Sequence, residues 1–247
     1  MNNSRSYTPL EFDPWDGILL VDKPAGFTSH DVVAKIRNHF RLKKVGHGGT
    51  LDPLATGLLI LLTGRGTRLS DRIMGSDKTY EGIMQLGIST DSQDADGQII
   101  EEKPADHITE GMLLEQMAKR VGDQMQTPPM VSAVKKNGVP LYKLARKGET
   151  IEREARLIHV YQYQLNNKNG LEVSFTLRCT KGTYVRTLCA DIGDELGCGA
   201  HLKQLRRTES GKFSIADAIT MPDLLALDQA AFYQRIIPIR QLPALLA

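Results

Sequence analysis

The sequence predicts an α+β protein rather than a doubly wound one. Strand-like and helix-like stretches follow one another without the regular strand–helix–strand repeat that builds a doubly wound sheet. Two long strand patterns, Arg156–Leu165 and Leu171–Thr180, flank Asn166–Gly170 as an antiparallel hairpin. Neither a Gly-rich dinucleotide fingerprint nor a GxxxxGKS/T phosphate loop occurs, which removes the usual reason for a parallel nucleotide-binding sheet.

In order along the chain, Ile18–Asp22 is a short apolar strand, stopped by Lys23-Pro24 and the Ala25-Gly26 turn. Ser29 is placed to N-cap a helix through Phe40 that buries Val32, Val33, Ile36 and Phe40. Leu58–Leu62 is an unbroken apolar run and must be buried, and 67–74 reads as a short helix. Lys78–Ile88 alternates as a strand with Tyr80, Gly82, Met84 and Leu86 on one face. The acidic stretch 91–106 is a loop or hairpin, followed by a helix from Thr109 to Val121 that gives way to Pro128-Pro129. Met130–Lys136 reads as strand before an Asn137-Gly138 turn, and Leu141–Lys147 as a short helix closed by Gly148. Thr183–Leu196 is helical, with Val185, Leu188, Ile192 and Leu196 inward and Gly197 after its end. Ala200–Arg207 is basic, and short helices are expected over 220–227 and 230–236.

With 24% charged and 41% hydrophobic residues in 247, the composition is that of a soluble globular chain of one large or two small domains. One domain is expected over 1–247, with a core over 8–208 and a short helical extension over 209–247. A net charge of +2 does not by itself demand a nucleic acid, but it is unevenly spread. Residues 91–106 hold six acids and one base, a local −5, which leaves the remainder at +7. That suffices to attract a polyanion if the bases share a face. Cys179, Cys189 and Cys198 have no pairing spacing, which argues for unpaired thiols in a reducing compartment. Cys198 and His201 lack the second pair a structural zinc site needs. No apolar signal segment opens the chain, and 58–62 is too short to span a bilayer, so a cytoplasmic location without membrane partners is expected.

Chemistry concentrates in residues 44–64, KVGHGGTLDPLATGLLILLTG. Asp52 is the lone acid between Asp31 and Asp71, in a loop made by Gly46, Gly48 and Gly49, bounded by Pro53 and anchored by the apolar run that follows. An isolated Asp-Pro needs only a turn to explain it, but this string resembles the TruB family of pseudouridine synthases, whose pattern is G-H-x-G-T-L-D-P-x-A-T-G. Gly46, His47, Gly49, Thr50, Leu51, Asp52, Pro53, Ala55, Thr56 and Gly57 match it; Gly48 stands where bacterial members usually carry Thr. Three further segments are similar in the same order: 78–82 (KTYEG), 128–146 around PPMVSAVK, and 181–208 from KGTYVRTL to LRRT. Other motifs fail. The SQDADG of 92–97 lacks the first acid of a calcium loop and has Lys103 where its closing Glu belongs. The SAVK of 132–135 has no companion S-D-N or K-T-G.

The resemblance implies the pseudouridine-synthase fold, a central mixed but mainly antiparallel sheet flanked by helices, and isomerisation of uridine in RNA, at position 55 of the tRNA T-loop, with no cofactor and no metal. It implies Asp52 as nucleophile, Arg186 as its ion-pair partner and Tyr80 as the ring that stacks on the base. Tyr184 and Leu205 match pocket-lining positions, His47 a residue that packs into the RNA where the base leaves, and Lys23 a substrate-side position. Arg186 next to Asp52 is expected to depress the carboxylate's pKa. The expected partner is the tRNA T-arm stem-loop, held by the cleft and by bases such as Lys203, Arg206 and Arg207. A monomer without an appended RNA-binding PUA domain is expected. Rival readings are a guide-RNA-dependent relative, a catalytically silent tRNA-binding or folding module, and a nucleosidase or glycosidase, which would need a second carboxylate nearby.

Overall fold

The computed structural model describes residues 13–132, 135–136, 139–140 and 151–243. Its strands are β1 (Gly17–Lys23), β2 (Val45–His47), β3 (Thr56–Thr63), β4 (Lys78–Leu86), β5 (Ile88–Thr90), β6 (Ile99–Glu102), β7 (Gly122–Gln126), β8 (Lys135–Lys136), β9 (Val139–Pro140), β10 (Arg156–Asn169), β11 (Glu172–Cys179), β12 (Ala200–Ser210), β13 (Phe213–Ser214), β14 (Ile219–Thr220) and β15 (Ile237–Pro238). The α-helices are α1 (Ser29–His39), α2 (Ser70–Met74), α3 (Glu110–Lys119), α4 (Val185–Glu195), α5 (Met221–Leu225) and α6 (Gln229–Arg235).

Eleven of these strands make one sheet with the order β14-β1-β3-β12-β4-β11-β10-β7, to which β2, β13 and β15 add at the sides. The β1–β14 and β3–β12 pairs are parallel and the rest antiparallel. This is the mixed, mainly antiparallel sheet expected. The run in β3 is apolar throughout because the strand is covered on both faces. Leu59 and Leu61 point into the larger core with Val32, Ile36, Phe175 and Leu188; Leu58, Ile60 and Leu62 join Ile18, Leu20 and Ile73 in a second cluster.

Several boundaries differ for local reasons. Thr28, not Ser29, caps α1: its hydroxyl accepts the Asp31 amide and the Asp31 carboxylate accepts the Thr28 amide, a capping box. Residues 64–69 form a 3-10 turn and only 70–74 are α-helical. Of the strand expected over 130–136, residues 130–132 are not strand and 135–136 form β8, paired with β9; residues 133–134, the expected Asn137-Gly138 turn and the helix expected at 141–147 lie outside the described residues.

The basic segment 200–207, assigned no element from sequence, belongs to β12, which sits in the middle of the sheet between β3 and β4. Its pairing with β4 shifts between Leu202 and Gln204. That bulge puts two leucines three residues apart, Leu202 and Leu205, in the same core, and so erases the period of two that marks a strand.

Candidate active site

Asp52 sits at the tip of the loop between β2 and β3, and neighbouring elements hold that loop from several sides. From α1, the Ser29 hydroxyl accepts the Leu51 amide at 2.8 Å and donates to the Leu51 carbonyl at 3.1 Å. After β1, the Gly26 amide donates to the Pro53 carbonyl at 2.9 Å. From β12, Arg207 donates to the carbonyls of Gly49 and Thr50. Gly49 itself has φ +139°, a backbone conformation side chains rarely allow.

The carboxylate faces a pocket of about 100 Å³ walled by Thr50, Leu51, Tyr80, Thr183, Tyr184, Val185, Arg186 and Leu205. Arg186, in the first turn of α4, is buried and spreads its donors over three segments. Its Nε meets Asp52 Oδ2 at 3.1 Å and one terminal nitrogen meets Asp94 Oδ2 at 3.1 Å. That same nitrogen donates to the Ser92 carbonyl at 3.1 Å, and the other to the Val131 carbonyl at 2.9 Å.

Asp52 is not depressed in pKa, as expected from its partner alone. Although 39% of its side chain is reached by water, the crowding atoms raise its pKa; Arg186 pulls it down, Asp94 pushes it up again, and the net direction is upward. Asp94 is the residue that sequence reasoning missed. Its second oxygen accepts the Ser92 hydroxyl at 2.5 Å and the Asp96 amide at 3.2 Å, so the failed calcium-loop string is a frame that holds a carboxylate against Arg186. Nothing local signals this, because the partner is 92 residues away in sequence.

Tyr80, from β4, is a buried wall of the pocket; burial pushes its hydroxyl up to about 12, opposed by the Arg207 guanidinium beside it. Tyr184 precedes α4, its backbone locked by Gln126, whose side chain accepts the Tyr184 amide at 2.8 Å and donates to its carbonyl at 3.0 Å. Leu205 from β12 completes the wall and also lines an adjoining groove of about 700 Å³ with Pro53, Gly26, Ile83 and Lys203. His47 lies on β2, before the Asp52 loop and outside the pocket lining; burial and Arg207 lower its pKa.

Four expected roles read differently in the structure. Lys23, expected on the substrate side, is fully buried and donates to the carbonyls of Pro24 (2.9 Å), Phe27 (2.6 Å) and Pro53 (3.3 Å); burial lowers its pKa to about 8. It ties the end of β1 to the Asp52 loop and presents no charge outward. Of the expected phosphate-gripping bases, Arg207 is buried, Arg206 is held in a two-point grip by Asp22 at 3.1 and 2.7 Å, and Lys203 is paired with Glu172.

Comparison with known proteins agrees with this geometry. The model for the TruB family pseudouridylate synthase (N terminal domain) matches residues 37–185, and that for the tRNA pseudouridylate synthase B C-terminal domain matches 186–242. The two matches meet inside the first turn of α4, while the sheet continues across: β12 lies between β3 and β4. The "tRNA pseudouridine synthase B" of Opitutus terrae is 53% identical over 226 residues, 92% of this chain and 94% of the relative. That of Geotalea uraniireducens is 51% identical over 208 residues, 84% of this chain and 67% of the relative. Among solved structures, one described as "Crystal Structure of a Cbf5-Nop10-Gar1 Complex" superposes with a TM-score of 0.72 at 32% identity, over 94% of this chain and 62% of that chain. The match thus runs through the Asp52 loop, Tyr80, Arg186 and the strand behind them, and the chain belongs to the TruB family of pseudouridylate synthases.

Proposed function

We propose that this protein converts uridine to pseudouridine in tRNA, at uridine 55 of the T-loop, with Asp52 as the nucleophile. The observation that carries the reading is a single water-reachable carboxylate, clamped by a buried arginine, at one wall of a pocket whose other walls include two tyrosines, a valine and two leucines. The reaction breaks the C1′–N1 bond, turns the uracil over and joins C5 to C1′. It needs an ionised nucleophile, a dry slot that retains the detached base, and a way to draw the base from the stack. Asp52 supplies the first. Tyr80, Tyr184, Val185 and Leu205 supply the second, and stacking on an aromatic ring, worth about 1–3 kcal/mol per base, supports the third.

A nucleosidase would need a second carboxylate free to activate water. Asp94 is near, but its oxygens are occupied by Arg186, Ser92 and Asp96, and its side chain is 7% exposed. A tRNA-binding module without catalysis would have no use for a carboxylate at the mouth of an RNA site.

On this reading the phosphate contacts come from the basic segment that precedes the Asp52 loop. Residues 35–44 hold five bases and no acid, and lead directly into β2 and His47. The Lys44 carbonyl accepts the Gly64 amide, which brings the turn bearing Arg68 alongside. Arg37, Arg41, Lys43 and Lys44 are exposed there, and so is Arg68.

The test is to incubate the protein with unmodified tRNA and with a T-arm stem-loop, then map pseudouridine by carbodiimide-dependent reverse-transcription stops. A stop at position 55 that vanishes with Asp52→Asn is expected. Absence of any stop, or full activity of Asp52→Asn, overturns the reading.

A further inference from the structure

Arg207 is among the largest fully buried side chains among the described residues, yet no ion pair to a carboxylate holds it. Its Nε donates to the Leu58 carbonyl at 2.7 Å, and its terminal nitrogens donate to the carbonyls of Thr50 at 3.4 Å and Gly49 at 3.2 Å. Burying a cation against neutral partners alone is strongly unfavourable, and a position whose only task was to fill space would be met more simply by an aliphatic side chain.

The main chain of the same residue touches the far end of the loop. Arg207 pairs with Gly57 in β3 and with Tyr80 in β4. Gly57 has φ +97°, and a Cβ added there would stand 2.3 Å from the Arg207 carbonyl oxygen, so the approach requires glycine. One residue therefore grips the Asp52 loop at both ends, by its guanidinium at Gly49–Thr50 and by its backbone at Gly57. That guanidinium also lies beside the Tyr80 hydroxyl.

We infer that Arg207 is a positioning residue for the reaction: it fixes the Asp52 loop and the Tyr80 ring as one rigid unit and so sets the width of the base pocket, without touching RNA. The inference rests on the reading of Asp52 as nucleophile. Lysine cannot replace it, because it has no donor where Nε meets the Leu58 carbonyl and a single ammonium in place of the two terminal nitrogens that meet Thr50 and Gly49. A reacting group displaced by about 1 Å loses about a hundredfold in rate.

The experiment compares Arg207→Lys and Arg207→Gln with the unaltered protein and with Asp52→Asn, by single-turnover kinetics and RNA binding on the T-arm stem-loop, with thermal melts to establish folding. Turnover at least about 30-fold lower, with the RNA Kd within about threefold, is expected for both Arg207 variants. A double-mutant cycle with Tyr80→Phe should show coupling, the Arg207→Lys loss being smaller once the hydroxyl is gone. Turnover within about threefold of normal overturns the inference, as does a parallel loss of binding and turnover. Activity of Asp52→Asn would instead sink the functional reading. Should neither Arg207 variant fold, arginine-labelled NMR of the unaltered protein decides. With a stem-loop carrying 5-fluorouridine at the target, the Arg186 Nε–H signal should shift while that of Arg207 stays in place and slow to exchange. A comparable Arg207 shift overturns the inference.

Discussion

Replacing Arg186 by lysine keeps the charge in the site and removes the fork. The arginine serves Asp52, Asp94, Ser92 and Val131 from three nitrogens, at 2.9 to 3.1 Å. An ammonium cannot reach both carboxylates in that geometry. Asp94, with 7% of its side chain exposed, is the costlier one to leave unpaired, so the ammonium should settle there and Asp52 should lose its partner. Two charges about 4 Å apart at an effective dielectric near 20 interact by about 4 kcal/mol. With 39% of the Asp52 side chain in water, screening reduces this to about 1–2 kcal/mol. The sign follows from the nucleophile having to be ionised: activity is present above the folded-state pKa of Asp52 and is lost as pH falls through it. That pKa is already raised by burial and held down by Arg186, so Arg186→Lys should carry the acid limb of kcat/KM to higher pH. Lost geometry adds to this, for a fall in kcat of about a hundredfold, about 2.7 kcal/mol. The assay is tritium release from RNA labelled at C5 of uridine, because C5 gives up its hydrogen when it joins C1′. Near-normal kcat at neutral pH with the acid limb unmoved would refute the reasoning.

Three further outcomes are expected. Because burial makes the ionised Asp52 unfavourable in the folded state, Asp52→Asn should melt higher than the unaltered protein at neutral pH. That gain should shrink as pH falls through the folded-state pKa toward the unfolded one, and a gain that persists in acid would contradict it. Gly48→Thr, which introduces the residue usual in bacterial relatives, would set a Cβ 2.4 Å from Ile73 Cγ2. It should cost about 1–3 kcal/mol, and Ile73→Ala in the same chain should recover part of that; strictly additive melting shifts would show the two side chains do not compete for the space. Charge reversal at Lys43 and Arg68 should weaken RNA binding and flatten its salt dependence, by about one unit of slope for each phosphate no longer neutralised. Equal effects from reversing Lys203, which already faces Glu172, would move the RNA to the other flank.

The sequence by itself determined what depends on neighbours in the chain. The irregular alternation of periods indicated an α+β fold, and the unbroken apolar run of 58–62 indicated a buried segment, because side-chain period and apolar character are set locally. The Gly-rich loop with one carboxylate, and the segments around Tyr80 and Arg186, marked the walls of one pocket through their resemblance to a family, and the fold brings them together. Tertiary structure decided what depends on partners far away. It reversed the expected direction for Asp52, since desolvation by surrounding atoms outweighs one arginine. It turned an acidic loop into the anchor of Arg186 through Asp94. It took Lys23 and Arg207 out of reach of solvent and gave them backbone carbonyls, and it hid β12 behind a bulge that breaks the strand period. A buried cation and an exposed one are the same letter in a sequence; which carbonyls surround it is fixed only when strands distant in the chain are laid side by side.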